Sequence, residues 1–116
     1  MMSDTKIKAV YMAAFAGAKT AKGGEVLIGS GIHSCDGLTL LRVGDVATYP
    51  DGSTAVIVAG AGNAMKVENI PVAVVGSPLS NGDTIVSSPI TPLEFHELDG
   101  APIFGLLDPS YQSAGA

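Results

Sequence analysis

The chain has 116 residues, 47% hydrophobic and 15% charged, the size and polarity of one domain around one core. Those proportions exclude a disordered chain, and 15 glycines without a three-residue period exclude collagen. Six basic against 11 acidic residues give a net charge of −5 with no basic footprint for nucleic acid, and one cysteine cannot form an internal disulfide.

Met1 to Lys19 reads as a short N-terminal arm ahead of a β domain over residues 20–116. Within the arm, Ala9 to Ala18 is a run of small and apolar residues behind Lys6 and Lys8, superficially like a signal-peptide core. Ala and Gly make that core weak and Asp4 precedes it, so the expectation is a small-residue strand or arm packed on the body, with no signal peptide. No segment reaches the ~20 apolar residues of a membrane-spanning helix, and no stable membrane insertion is expected. Met12 to Thr20 is the one stretch able to form a short helical piece, and Gly17 weakens it.

Beyond the arm, β signals follow one another. Glu25–Ile28, Ala55–Val58 and Asp83–Val86 are short runs rich in β-branched residues, bounded by turn formers. Asp36-Gly37, Asp51-Gly52, Asn81-Gly82 and Asp99-Gly100 tolerate the positive φ angles of tight hairpins. An all-β fold follows.

The chain also repeats itself. Asp36-Gly37-Leu38-Thr39-Leu40-Leu41-Arg42-Val43-Gly44-Asp45 aligns with Glu68-Asn69-Ile70-Pro71-Val72-Ala73-Val74-Val75-Gly76-Ser77. A third copy is read at Asp99-Gly100-Ala101-Pro102-Ile103-Phe104-Gly105-Leu106-Leu107-Asp108. Three pseudo-repeated β-hairpin units of about 30 residues then fill residues 22–109. A single hairpin cannot bury its apolar face alone, whereas three around one axis can, which predicts a pseudo-threefold body. Such a body suits docking onto a threefold partner.

Several of these segments together resemble the PAAR-repeat proteins, which sharpen the spike of type VI secretion systems and related phage-like injection machines. Lys22-Gly23-Gly24-Glu25-Val26-Leu27-Ile28-Gly29-Ser30 is similar to the family's His-Gly-Gly start, and Leu40–Asp45 to its Ala-Arg-Val-Gly-Asp strand. Met65–Ser77 resembles its second copy. Gly76–Asp83 and Tyr49-Pro50-Asp51-Gly52 fit one branch of it. The resemblance spans residues 18–90, and more loosely reaches 109. It implies a small conical, three-sided β body whose wide base caps a trimeric β-helical spike, the valine-glycine repeat protein, one copy per trimer. By this analogy Leu41, Arg42, Val43, Val74, Val75, Leu106 and Leu107 are candidate spike-binding residues. It further implies a cytoplasmic protein that leaves with the fired spike, aiding envelope piercing and effector loading. Few residues follow Asp108, so any effector is expected to be a separate chain. The other reading of the chain is a small β module that decorates a phage or particle surface or binds a small ligand.

Family members usually hold one zinc near the tip through histidines and a cysteine. Here Lys22 stands where a histidine is expected, and Tyr49 and Asn81 lie near places of family cysteines, so that ligand set does not carry over. The repeat offers another set. His33, Met65 and His96 each lie three residues before the opening residue of a unit, and Cys35 shares the strand face of His33. His33, Cys35 and His96 are therefore candidate ligands for one zinc or iron ion, against a small buried thiol and two ordinary histidines. No enzyme is expected. Gly29-Ser30-Gly31 lacks the frame of a nucleophile elbow, no residue is identifiable to orient a Cys–His pair, and no helix pattern follows Gly60-Ala61-Gly62.

Overall fold

The computed structural model describes residues 7–30, 33–98, 100 and 103–109. Among the described residues eleven short strands carry the fold: β1 Ile7–Met12, β2 Ala18–Thr20, β3 Glu25–Val26, β4 Ser34–Cys35, β5 Leu38–Thr39, β6 Val46–Thr48, β7 Thr54–Val56, β8 Lys66–Val67, β9 Ile70–Pro71, β10 Ile85–Ser87 and β11 Glu94–Leu98. One 3-10 turn, Gly62–Ala64, precedes β8.

A ring of three backbone hydrogen bonds lies at the centre. Ala14 N–H donates to the Ala73 carbonyl, Leu41 N–H to Ala14 and Ala73 N–H to Leu41, each at 2.9 Å. A second ring links the same three strands with the donation running the opposite way round: Ala16 N–H to Thr39 at 2.8 Å, Val43 to Pro71 at 3.0 Å and Val75 to Met12 at 2.8 Å. Each central strand then turns sharply, through Phe15–Ala18, Arg42–Asp45 and Val74–Ser77. In each turn the fourth residue's N–H reaches the first residue's carbonyl. The third positions are Gly17, Gly44 and Gly76, with φ of 102°, 98° and 106°. A type II turn demands positive φ there, which is why glycine recurs while its neighbours vary.

The expected pseudo-threefold body is therefore present, and its first two units are those read in the sequence. The third unit is different. It is Phe15-Ala16-Gly17-Ala18, not the segment 99–108, so residues 13–19 are a central strand and not an appended arm. Asp99 itself lies outside the described residues. The expected helical piece at Met12–Thr20 is strand and turn, because its small residues close the ring. Ala13, Ala14, Phe15 and Ala18 are all buried.

On one side of the rings, three hairpins close into a barrel. They are β2–β3, β6–β7 and the Pro78–Thr84 turn leading into β10. Glu25 pairs with Thr48, Ile57 with Leu79 and Ile85 with Thr20, so each hairpin is joined to the next. Val26, Ile57 and Ile85 form a buried layer around the axis, with Leu41, Ala47 and Leu79 packed against them. Each aliphatic side chain so enclosed stabilises by about 1.5–3 kcal/mol relative to exposure.

On the other side, three separate two-stranded ribbons project: β4–β5, β8–β9 and β1–β11. The first two turn through Asp36-Gly37 (φ 52° and 80°) and Glu68-Asn69 (φ 54° and 66°). Positive φ at both central residues gives a turn whose twist matches that of its strands. Phe15, Leu40, Val72, Val74 and Phe95 fill the core beneath the ribbons. The stretch Ile103–Asp108 lies against the 3-10 turn, with Leu107 N–H donating to the Gly60 carbonyl and Asn63 N–H to Phe104, both at 2.8 Å.

Candidate functional site

The two ends of the axis differ. At the barrel end the tips of all three hairpins meet on one carboxylate, Asp83, which is 2% exposed. Its Oδ1 accepts from Thr84 N–H at 2.8 Å and Lys22 N–H at 3.1 Å. Its Oδ2 accepts from the Tyr49 hydroxyl at 2.6 Å, and the Thr20 hydroxyl is a further donor. Burial acts to raise this carboxyl's pKa, yet the donors of Thr20, Tyr49, Thr84 and Lys22 together hold it below the ordinary carboxylate value. Gly24 completes the packing. A Cβ there would lie 2.6 Å from the Tyr49 ring and 2.9 Å from Thr20 Oγ1. Glycine follows glycine at 23–24 because Gly23 takes φ of 89° and Gly24 lets the Tyr49 ring approach.

At the opposite end the ribbons are only two strands wide, so their outer edges lack strand partners among the described residues. Unpaired N–H and C=O groups on such edges are competent to pair with strands of another chain.

The candidate docking residues fall into distinct environments. Leu41 and Val74 are fully enclosed, and their side chains belong to the core. Val43 and Val75 are half-buried in their turns. Leu106 is half-buried, and Leu107 packs against the core beneath the ribbons. Arg42 is 6% exposed and occupies the place that Phe15 and Val74 take in the other units. Its Nη1 donates to the Val67 carbonyl and to Glu68 Oε1, each at 3.0 Å. Its Nε and Nη2 donate to Ser30 Oγ at 3.2 and 3.0 Å. Arg42 thus ties the β8–β9 ribbon to the body. Next to it, Asp45 accepts the Arg42 N–H at 2.8 Å. Ser77 Oγ accepts Val74 N–H at 2.9 Å in the equivalent position. The third unit has Ala18 there, and Ser88 Oγ accepts the Phe15 N–H at 3.0 Å instead. The Gly-Asp and Gly-Ser endings of the repeat are therefore caps for a buried backbone donor.

The candidate metal ligands are not brought together. His33 and Cys35 border an apolar groove of about 270 Å³ with Phe15, Leu40, Met65 and Leu93. His96 is exposed on β11, its Nε2 3.1 Å from Glu94 Oε1. The register explains the failure. Leu40 bonds the carbonyl of His33, Val72 that of Met65 and Ala13 that of Leu93, so Leu93 is the threefold mate and His96 is three residues further on. Among the described residues no three His, Cys, Asp or Glu lie close enough to hold a metal ion. Nor do the residues at the barrel vertex fit a zinc site. Asn81 Oδ1 accepts the Asp83 N–H at 3.0 Å, the Tyr49 hydroxyl is committed to Asp83, and Lys22 contributes an N–H. Those are hydrogen-bond donors and occupied acceptors, without imidazole or thiolate.

Sequence reasoning missed the Asp83 cluster, although it noted Tyr49 and Asn81. It also missed an apolar groove of about 410 Å³ beside Asp45, lined by Leu27, Ile28 and Val46, where Ile28 is 81% exposed. Among the described residues no helix is long and apolar enough to cross a membrane.

A family model described as the PAAR motif matches residues 16–87, more than half of the chain. No curated protein and no solved structure matches it. The matched span opens within the turn at Phe15–Ala18 and closes at the end of β10, so it contains the glycines of all three turns and the whole barrel. The fold and the family match agree, and the chain belongs to the PAAR-motif family of spike-tip proteins.

Proposed function

We propose that this chain is a non-enzymatic cap on a trimeric β-helical spike of the valine-glycine repeat type, one copy per trimer. The observation that carries the reading is the hydrogen-bonded pseudo-threefold ring within a single chain, with three open-edged ribbons at one of its ends. Three ribbons set around one axis present backbone edges to three identical strand ends, so one monomer matches a trimer. In this reading the ribbon end is the base and the Asp83 end leads. Val43, Val75, Leu106 and Leu107 border the docking region, and Arg42 acts by holding the β8–β9 ribbon. The protein waits in the cytoplasm of the producing cell and leaves with the spike of a type VI or phage-like machine. It helps to pierce the target envelope and to deliver effectors.

Native mass spectrometry of this protein with the purified spike trimer tests the stoichiometry. The expected species is three spike chains plus one copy of this chain. A homotrimer of this protein, or no complex at micromolar concentrations, overturns the proposal and favours a particle-decorating or ligand-binding module.

A further inference from the structure

We propose that the barrel vertex is closed by the Asp83 carboxylate acting as a hydrogen-bond clamp across all three hairpins, in the place where a metal ion would otherwise tie them. Lys22 lies in the β2–β3 turn, Tyr49 in the β6–β7 turn and Asp83 in the third hairpin. The ring closes at this end only if these turns stay in register. A metal would do this by taking one ligand from each hairpin. Here one side chain accepts the Lys22 N–H and the Thr20 hydroxyl from one neighbour and the Tyr49 hydroxyl from the other, together with its own Thr84 N–H.

Three features point to a clamp complete in itself. First, every donor faces the carboxylate, so the site is lined by N–H and O–H hydrogens that repel a cation. Second, Asp83 is almost fully buried, and both of its oxygens are engaged. A buried carboxylate with this many donors is stable as the anion and needs no counter-ion. Third, the surroundings are built around it. Asn81 Oδ1 holds the Asp83 N–H, Thr20 Oγ1 accepts Gly24 N–H at 2.8 Å, and Gly24 makes room for the Tyr49 ring. The consequence is a vertex indifferent to chelation, able to keep its shape where free zinc is scarce.

The test uses the purified full-length chain. Metal content is measured by elemental mass spectrometry, and the melting temperature with EDTA, with added zinc, and with neither. The expected result is substoichiometric metal and a melting temperature unchanged by EDTA or zinc. Asp83→Ala is expected to lower the melting temperature by about 10 °C, from the loss of a buried acceptor serving several donors. Tyr49→Phe removes one hydroxyl and keeps the ring, and is expected to lower it by about 5 °C. Tyr49→Phe also decides the matter if Asp83→Ala does not fold. Stoichiometric metal with a melting temperature that falls in EDTA overturns the clamp. So does a Tyr49→Phe variant as stable as the parent.

Discussion

The axial layer makes a sharp demand on volume. Leu41 and its two threefold mates, Ala14 and Ala73, are fully buried in one cluster, and only Leu41 has a large side chain. Of the three equivalent positions, one unit supplies a leucine and the other two an alanine. Leu41→Ala removes three carbons, worth about 0.8 kcal/mol each in transfer, and leaves a void, for a total of about 3–4 kcal/mol. Ala14→Leu alone inserts a second leucine and costs about 1–3 kcal/mol through overpacking. If the three positions share one space, the double variant Leu41→Ala/Ala14→Leu moves the leucine by one unit and conserves volume. Its cost then falls to about 1.5 kcal/mol or less. Urea unfolding reads this directly: with a slope of about 1.5 kcal/mol per molar, Leu41→Ala lowers the midpoint by about 2 M and the double variant restores most of the loss. A double variant whose loss equals the sum of the two single losses refutes the shared axial space.

Four further outcomes follow from the geometry. Gly44→Ala meets no atom within 4 Å, so its cost is conformational, about 1–2 kcal/mol from φ of 98°, and is measured by the same urea titration. Arg42→Ala leaves the Val67 carbonyl without its guanidinium donor and is expected to cost about 2 kcal/mol by calorimetry. Glu68→Gln, on the exposed side of the same pair, is expected to cost under about 0.5 kcal/mol. The Asp83 carboxyl titrates below its unfolded-chain value, so its contribution is complete above that value and is lost as the pH falls through the lower, folded one. The gap in melting temperature between the parent and Asp83→Asn is therefore constant above about pH 5 and closes below about pH 4. A gap independent of pH down to pH 2 contradicts the assignment.

Much of the fold is written in local chemistry, and that part was legible. Asp36-Gly37 turns as its residue types favour, Glu68-Asn69 follows it through the repeat although Glu68 is a poor residue for positive φ, and the glycines at 44 and 76 mark type II turns. Two units were recognisable because turn, strand and cap all recur at one spacing. The third was hidden for two physical reasons. Its strands come from distant parts of the chain, so no contiguous window contains them. Its cap residue is Ala18, because Ser88 supplies the hydroxyl from elsewhere, and the Gly-Asp signature is absent. The segment 99–108 imitated a unit through Asp-Gly and a run of apolar residues, and that false register carried His96 into the metal set. Leu41 and Val74 read as surface candidates because a strand sequence does not say which face is enclosed when both sides are covered. The Asp83 clamp draws single residues from three hairpins, and no spacing within one hairpin reveals it.

The β1–β11 ribbon joins the beginning of the described chain to its far end, with Met12 opposite Glu94 and Val10 opposite His96. Among the described strand pairs it bridges the largest sequence separation, and it acts as a buckle on a body already joined by long-range pairings such as Thr20 with Ile85 and Ala13 with Val74. During synthesis the central ring can gather only two of its three strand-pair supports until residue 98 is available. Closure of the buckle is then the slow step, as pairings over long sequence separations are. A ribosome-stalled or clipped chain lacking β11 keeps the barrel turns but loses Phe95 and leaves β1 and the core around Phe15 and Val74 open to solvent. The folded form is thereby a check on its own completeness.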